Sequence, residues 1–299
     1  MKKLLLISPT KEKRSILTTA IFVVLVIYVI SLAIPLIWAI YSAFNDKAAY
    51  RAFYSFKQAF PTKLTFDNFV IAFRDFKFTA WTTGERFNFF QMIGFSLIYT
   101  LLCSISYTLT PCLVAYCAAR FKFKFSKIIY AFVIITMSLP IVGSMPSEIR
   151  MLKMIGLFDN FFGTFVLRLN FLSINFLIFH AQFEMIPMTY SEAAKVDGAS
   201  NFRIMTTVVM PQAVPTITTL FLLSFITFWN DYQIPRIYLP SYPTVAQGLF
   251  FFYTSGESAI NYIPVKIAGF IGVTIPIVII FAILNKKLRL NVAAGGIKG

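Results

Sequence analysis

The amino-acid sequence predicts an all-α membrane protein with six transmembrane helices. Of its 299 residues, 58% are hydrophobic and only 13% are charged, whereas a soluble domain has about 45–50% apolar and about 25% charged residues. Six segments approach the roughly 20 apolar residues that a spanning helix needs. Apolar and polar residues do not alternate within them, which favours helices over the strands of a membrane barrel. Lipid is therefore the expected solvent for most of the chain.

The first three predicted spans lie in the N-terminal half. A basic segment, 1–15, precedes span one at 16–41. This apolar stretch is longer than the roughly 7–15 residues of a signal-peptide core, so we expect it to remain uncleaved. Span two, 88–118, lies in the charge-free run 87–119, and span three covers the apolar residues 128–147. Backbone groups in lipid must bond within their own segment, so each span is predicted to be a helix.

The last three predicted spans follow the same argument. Span four, 161–183, is interrupted by Arg168, whose long side chain we expect to extend outward to the membrane surface. Span five covers 213–234. Span six, 267–285, ends at the basic residue Lys286.

Basic residues orient the predicted spans. The segments 1–15, 119–127, 186–211 and 285–299 would share one side of the membrane, and they hold 15 of the 27 lysines and arginines. Short loops rich in basic residues stay in the cytoplasm, so both termini are predicted to be cytoplasmic. The long segment 45–86, rich in Phe and Tyr, then lies outside. It could pack on a partner subunit or fold on this chain.

Composition excludes several classes of function. The net charge of +15 comes from basic clusters beside the apolar spans, which is typical of membrane orientation and not of nucleic-acid binding. One histidine and three cysteines without metal-type spacing supply neither a metal site nor a nucleophile with its base. Gly295-Gly296-Ile297-Lys298 lacks the spacing and the Ser or Thr of a nucleotide-binding loop. No metal or cofactor is expected on this chain.

The polar segment 186–211 is predicted to be a helix, a glycine corner and a second helix. Pro187 can begin a helix, because its missing N–H would have no intrahelical partner there. Gly198 can adopt the left-handed conformation that ends a helix, and Ser200 or Asn201 can cap the next one. We call residues 186–211 the docking loop.

The residue types of the docking loop favour protein contact over lipid contact. Ala193 and Ala194 are small enough to let a helix approach a groove closely, while Glu192, Asp197 and Arg203 can fix its orientation by hydrogen bonds. Helix-in-groove docking is a recurrent recognition mode. A helix lying on lipid headgroups would instead have a basic polar face opposite bulky apolar residues.

The same residues resemble a known motif. Glu192-Ala193-Ala194, then Gly198 and Pro211, resemble the signature loop of permease subunits in ATP-binding-cassette importers. Further stretches, in the right order along the chain, are similar to the carbohydrate-uptake, maltose-type class of type I importer permeases. These stretches are Ile34–Trp38, Leu64-Thr65-Phe66-Asp67-Asn68-Phe69, Ala115-Tyr116, Ala118-Ala119-Arg120, Ile155–Asn160, Phe228-Trp229-Asn230-Asp231 and Ala294–Gly299.

The resemblance implies a subunit and not a complete transporter. Residues 16–290 would form the transmembrane permease domain, with the docking loop as the cytoplasmic coupling-helix loop between spans four and five. The implied partners are a second permease subunit, a dimer of ATPase subunits that binds ATP and Mg²⁺, an extracytoplasmic sugar-binding protein and the lipid of the bacterial inner membrane. The chain itself would not be an enzyme.

The resemblance also implies two sets of ATPase contacts. The residues of the docking loop that would contact the ATPase are Glu192, Ala193, Ala194, Asp197, Gly198 and Pro211. The cytoplasmic tail, 291–299, would make a second contact through Gly295, Gly296, Lys298 and Gly299. The sequence departs from the family pattern at 188–191, where an acidic or Leu-rich step is usual, and at Met210, where leucine is common. These differences alter the docking surface.

A polar and aromatic group follows the predicted fifth span. An ionisable residue within a span is costly and usually functional, and Asp231 lies beside residues whose rings and amides suit a sugar. Pore lining is one interpretation, and anchoring in the aromatic belt of the membrane interface is the other. The group consists of Trp229, Asn230, Asp231, Tyr232 and Gln233.

Two other kinds of transporter remain open. An importer of the same architecture could carry a non-sugar cargo. An ion-coupled transporter would be expected to show internal repeats or several buried acids along one path, and the sequence has no clear repeat. Uptake that requires ATP would indicate an importer of this architecture. Uptake that requires an ion gradient would indicate an ion-coupled transporter.

Overall fold

The computed structural model describes residues 16–46, 50, 64–80, 82–121, 125–139, 143–254 and 262–295, with the backbone alone for 16, 17 and 283–295. The first half of the chain contains α1 Ile16–Ala43, α2 Asp67–Asp75, β1 Lys77–Thr79, β2 Arg86–Asn88, α3 Phe89–Arg120, α4 Ser126–Ser138 and α5 Met145–Met154. The second half contains α6 Phe161–Leu167, α7 Ile174–Met185, α8 Met188–Val196, α9 Asn201–Ile204, a π-helical turn Met205–Val209, α10 Met210–Trp229, α11 Gln233–Tyr238, α12 Val245–Thr254 and α13 Ile263–Gly295.

Four described helices are long and apolar enough to cross a membrane: Thr18–Ala43, Phe89–Arg120, Asn201–Trp229 and Ile263–Ala282. They coincide with the first, second, fifth and sixth predicted spans. Helix α13 continues past the predicted end at 285 as far as Gly295.

The fifth span ends earlier than predicted. Helix α10 stops at Trp229, so residues 230–234 do not continue it. The Asp231 carboxylate explains the break, because its Oδ1 accepts hydrogen bonds from the backbone N–H groups of Gln233 (3.0 Å) and Ile234 (3.1 Å) and so caps the start of α11. A side-chain oxygen that bonds the first N–H groups of a helix is a typical start signal.

The third and fourth predicted spans are not single helices. Residues 128–147 form α4, which ends at Ser138, and the start of α5 at Met145. Leu139 has extended backbone (φ −93°, ψ 122°), as expected for a residue that precedes a proline. Residues 161–183 divide into α6 and α7, and Arg168 follows the end of α6. The prediction of one continuous helix for each segment is therefore wrong.

Helix α3 is the centre of the packing, since its contacts with α7 and with α10 are the most extensive between described elements. One apolar cluster joins α2, the β1–β2 hairpin, α12 and α13 to the N-terminal half of α3 through Phe76, Phe89, Met92 and Phe252. A second cluster surrounds the C-terminal end of α3 and joins it to α7, α9 and the start of α10. Its members include Tyr116, Phe179, Phe183, Ile204 and Val209.

The described part of the 45–86 segment packs on this chain itself. The Phe76 ring stacks on Phe252 of α12 with centroids 5.0 Å apart, and the Phe78 ring lies 4.9 Å from Phe251. The Asn68 Nδ2 atom donates hydrogen bonds to the backbone oxygens of Ala43 and Asn45, both at 2.8 Å. Of the two interpretations left open by the sequence, these contacts favour self-packing.

The motif residue Asp159 joins α5 to α11. Its backbone is left-handed at φ +56°, a conformation that aspartate tolerates better than most residues. Its N–H donates to the Tyr238 carbonyl oxygen at 3.1 Å, and its Oδ1 accepts from the Ser241 N–H at 3.0 Å. The Tyr238 hydroxyl donates to Glu148 Oε2 at 2.7 Å. The pKa of Tyr238 is raised mainly by burial and, to a smaller extent, by this hydrogen bond to Glu148.

Candidate functional site

The docking loop contains a helix, a glycine corner and a second helix. Helix α8 is followed by Gly198, whose φ of +78° is left-handed. The Ser200 hydroxyl then accepts a hydrogen bond from the Arg203 N–H at 3.3 Å and caps α9. Glycine adopts a left-handed backbone without the steric cost of a Cβ atom, so the chain reverses direction between the two short helices.

The outer surface of the docking loop is open and partly apolar. None of the residues of α8 is buried. Glu192, Ala193 and Asp197 are exposed, and beside these small and acidic residues Val196 is 88% and Phe202 is 71% exposed. Val196 and Phe202 thus add exposed apolar area to a surface of small and acidic residues.

The inner surface of the docking loop packs against the helices of the second apolar cluster. Ala194 and Ala199 are half-buried and pack against the second apolar cluster. Pro211 is exposed in the first turn of α10, directly after the π-helical turn. A proline in the first turn of a helix loses no necessary backbone bond. One side of the loop therefore packs on the neighbouring helices, and the other side is exposed.

A cavity of about 550 Å³ lies on one side of the end of α10, and we call it the charged cavity. Asp231 and Arg168 both line it. The Tyr99 hydroxyl of α3 donates to Asp231 Oδ2 at 3.1 Å, and Asn175 Nδ2 donates to the Tyr107 carbonyl oxygen at 3.3 Å. The lining residues are Tyr107, Arg168, Ile174, Asn175, Ile178, Leu220, Leu223, Ser224, Thr227, Phe228, Asp231 and Ile234.

The Arg168 side chain was predicted to extend to the membrane surface, but it lines the charged cavity. Its guanidinium carbon is 5.3 Å from the centroid of the Phe228 ring, in the range of a cation–π contact. It lines the charged cavity instead of extending to the membrane surface. The interruption of α6 and α7 at Arg168 fits this position, because non-helical backbone at membrane depth is tolerated where it lines a cavity.

A second cavity of about 270 Å³ lies between α10, α12 and α13, and we call it the aromatic cavity. The Tyr232 ring stacks on Phe250 with centroids 4.6 Å apart and an angle of 9° between planes. Trp229 is only 1% exposed and stacks on Phe225 at 6.0 Å. The lining residues are Trp229, Asn230, Tyr232, Ala246, Leu249, Phe250, Tyr253, Phe270 and Val273.

The predicted pore group is therefore divided between two cavities. Asp231 lines the charged cavity, whereas Trp229, Asn230 and Tyr232 line the aromatic cavity. Gln233 lines neither of these two cavities and contributes its backbone N–H to Asp231. Sequence reasoning missed the positions of Arg168, Tyr99 and Asn175 in the site. The arginine inside an apolar span was a signal that could have indicated the first of them.

The tail contacts can be located only in part. Gly295 is the last residue of α13. The remaining candidates of the tail, Gly296, Lys298 and Gly299, lie outside the described residues, as does the basic N-terminal segment 1–15.

Two permeases whose names state their cargo are similar to most of the chain. The melibiose/raffinose/stachyose import permease protein of Bacillus subtilis is 28% identical over 252 residues, which cover 82% of this chain and 86% of that protein. The maltodextrin transport system permease protein of Streptococcus pneumoniae is 28% identical over 293 residues, covering 97% of this chain and 98% of that protein.

A solved structure shares the fold. A chain in the crystal structure of a bacterial ABC transporter that imports the acidic polysaccharide alginate superimposes with a TM-score of 0.73 at 19% sequence identity. The match covers 93% of this chain and 99% of that chain. At this identity the likeness shows a common fold only.

Residues 111–291, more than half of the chain, match the family described as "Binding-protein-dependent transport system inner membrane component". This match and the long apolar helices identify a membrane protein that serves as a transport component. They confirm the resemblance to importer permeases that the motifs indicated. The chain belongs to the family of binding-protein-dependent transport system inner membrane components.

Proposed function

We propose that this chain is one permease subunit of an ATP-driven importer that translocates a sugar or an oligosaccharide delivered by an extracytoplasmic binding protein. Family membership supports the transport role and the need for a binding protein. The named cargoes of the two similar permeases, which are melibiose, raffinose, stachyose and maltodextrin, support a carbohydrate cargo. ATP hydrolysis takes place on separate ATPase subunits, and this chain binds no cofactor.

The exposed surface of the docking loop is the observation that carries this proposal. Helix α8 buries none of its side chains, and its last residue, Val196, is apolar and exposed. This surface enters a groove on the ATPase subunit, where Glu192, Ala193 and Asp197 contact the partner. Ala194 faces the cluster and, with Gly198 and Pro211, sets the position of the loop.

The membrane arrangement keeps six crossings and two cytoplasmic termini. Helix α4 has 13 residues and so extends about 20 Å, less than the roughly 30 Å of the hydrocarbon core. We propose that α4, with the residues that follow it, and the interrupted pair α6 and α7 complete their crossings under cover of this chain and a second permease subunit. In such an importer the tail formed by 291–299 reaches the ATPase dimer.

The two cavities at the end of α10 are proposed to line the cargo path. Carboxylate, guanidinium and amide groups in the charged cavity can exchange hydrogen bonds with sugar hydroxyls, and the rings of Phe228 and Tyr232 supply apolar surfaces for sugar rings. Pockets that combine apolar walls with a few placed polar groups are typical of small-ligand sites.

Reversal of one surface charge tests the docking assignment. In proteoliposomes that contain the chain with its partner subunits, Glu192→Lys should lower ATP-driven uptake at least tenfold and reduce the amount of ATPase subunit retained on the permease. Membrane insertion should be unchanged, because Glu192 is exposed. The matched control is Lys127→Glu, a charge reversal at an exposed site at the start of α4, which should retain uptake.

The energy source and the cargo are separate questions in this assay. Uptake driven by an ion gradient without ATPase subunits would exclude the importer mechanism. Normal uptake by both Glu192→Lys and Gly198→Pro would show that the docking loop does not couple to the ATPase. Binding of an amino acid or a phosphate ester, and of no sugar, by the partner binding protein would keep the mechanism and replace the cargo.

A further inference from the structure

Helix α3 reaches from the docking loop to the charged cavity. Tyr99 and Arg120 lie on this one continuous helix, and at about 1.5 Å per residue they are about 31 Å apart along its axis. This length matches the roughly 30 Å of the hydrocarbon core. A helix held at both ends transmits a displacement over its full length, so the contacts at its two ends determine what it can connect.

The outer contact of α3 is made by Tyr99. This side chain is fully buried, and its hydroxyl donates to Asp231 Oδ2 at 3.1 Å. Its ring meets Phe228 edge-on, with centroids 6.2 Å apart. Asp231 and Phe228 both line the charged cavity. A shift of α3 along or about its axis therefore moves the partner of the Asp231 carboxylate and one ring of the cavity wall together.

The inner contact of α3 is made by Arg120, the last residue of the helix. It is 8% exposed, and its Nη1 lies 2.8 Å from the Sδ atom of Met188, the first residue of α8. Within the described part of the chain, its Nε and Nη2 atoms have no hydrogen-bond partner. A thioether is a weak acceptor, and buried arginines are normally paired. Among the described residues, the contact with Met188 is therefore the polar contact that positions this guanidinium.

Neighbouring contacts attach the same end of α3 to both sides of the docking loop. The Tyr116 ring meets Phe183, near the end of α7, edge-on at 5.6 Å. The Cys112 Sγ atom lies 3.9 Å from the Sδ atom of Met210, the first residue of α10. The helices that enter and leave the loop thus both pack on the last turns of α3, while Arg120 contacts the loop itself.

We propose that α3 is the mechanical link between the docking loop and the charged cavity, with Arg120 and Tyr99 as positioning residues at its two ends. The inference rests on the proposed function, since the ATPase subunit supplies the displacement of α8. Movement of Met188 carries Arg120 and α3 with it, and Tyr99 changes its contact with Asp231.

Accessibility of the charged cavity is the direct readout, and it does not require the cargo to be known. Thr227 is exposed and lines this cavity, so a Thr227→Cys variant can be labelled with a maleimide once the exposed Cys117 is replaced by alanine. In the complete importer in proteoliposomes, ATP-Mg should change the labelling rate at least fivefold. ATP hydrolysis and retention of the ATPase subunit are measured on the same samples.

Three variants and one control test the link. Arg120→Met and Tyr99→Phe should each reduce the ATP-dependent change in labelling to less than twofold, while ATP hydrolysis and ATPase retention stay within twofold of the parent. Arg120→Lys, which keeps the charge, should give an intermediate change. Lys127→Met, which removes an exposed charge near the same end of α3, should leave the change intact. A purely structural role would lower retention and hydrolysis as well.

A double variant isolates the inner contact. Because Arg120→Met and Met188→Leu remove the same contact, the pair should be no more defective than Arg120→Met alone. A full labelling response in Arg120→Met and Tyr99→Phe would overturn the inference, and so would a loss of response that only follows lost ATPase retention. If the parent importer itself shows no response to ATP-Mg, the proposed function fails instead.

Discussion

Replacement of Gly198 by alanine tests whether the shape of the docking loop limits its binding. A Cβ atom built on Gly198 meets no heavy atom within 4 Å, so alanine causes no clash. The whole penalty comes from the backbone angle φ of +78°, which costs an ordinary L-residue about 1–2 kcal/mol. Asparagine tolerates this region better, so Gly198→Asn is the matched control with a larger side chain and a smaller backbone cost.

The penalty should appear in the affinity for the ATPase subunit. Helix α8 buries none of its side chains, and segments with few buried contacts open at low free-energy cost. A cost of 1–2 kcal/mol then lowers the ratio of correct to incorrect corners by a factor of about 5–30. The apparent dissociation constant rises by up to this factor, because only the competent fraction binds.

Titration of the ATPase subunit onto the detergent-solubilised permease measures this effect. Gly198→Ala should weaken binding by up to about 30-fold, and Gly198→Asn should weaken it less. The thermal midpoint of the permease should change little in both variants, because Gly198 is exposed. Equal weakening by the two variants would show that the partner has no room for any side chain at this position. Unchanged binding in Gly198→Ala would show that the corner is not required. Either result refutes the reasoning.

Two further predictions concern the stability of the helical core, and both are read from thermal unfolding of the solubilised chain. A Cβ atom at Gly163 would overlap the Leu157 carbonyl oxygen, so Gly163→Ala should destabilise the fold by about 1–3 kcal/mol. The control Gly94→Ala lies in open space on α3 and should stabilise the fold by up to about 1 kcal/mol. Equal shifts of the unfolding temperature in the two variants would contradict the packing at Gly163. Asn68→Ala removes the Nδ2 donor from the Ala43 and Asn45 carbonyl oxygens and should lower the free energy of unfolding by about 1–3 kcal/mol. Asn68→Leu, which keeps a similar volume, should lower it as much. A leucine variant as stable as the parent would show that Asn68 acts through its volume.

Local signals predicted the long helices and the docking loop. A continuous apolar run determines a membrane helix by itself, because lipid leaves the backbone no partner outside its own segment; α1 and α3 therefore lie close to the predicted bounds. The corner at Gly198 and the cap at Ser200 depend on the conformational preference of one residue each. Such features need no knowledge of the rest of the fold.

The charged cavity could not be predicted in the same way, because it depends on contacts between distant parts of the chain. Tyr99 and Asp231 are 132 residues apart in sequence, and hydropathy gives no information on which side chains of two helices meet. The breaks in the third and fourth spans were also missed. A window of about 19 residues averages over a single proline or arginine, although each can end a helix locally.

The distribution of packing explains why a displacement of the docking loop should move whole helices. Helix α8 buries none of its side chains, so its surface can change partners without disturbing a core. Ala194 and Ala199 nevertheless pack on the cluster that contains Tyr116 and Phe183, and close-packed clusters of this kind resist deformation. A force on α8 is therefore expected to shift this cluster as a unit, together with α3 and α7, and not to compress it. Under the proposed mechanism, this motion would reach the charged cavity as a change in relative helix position.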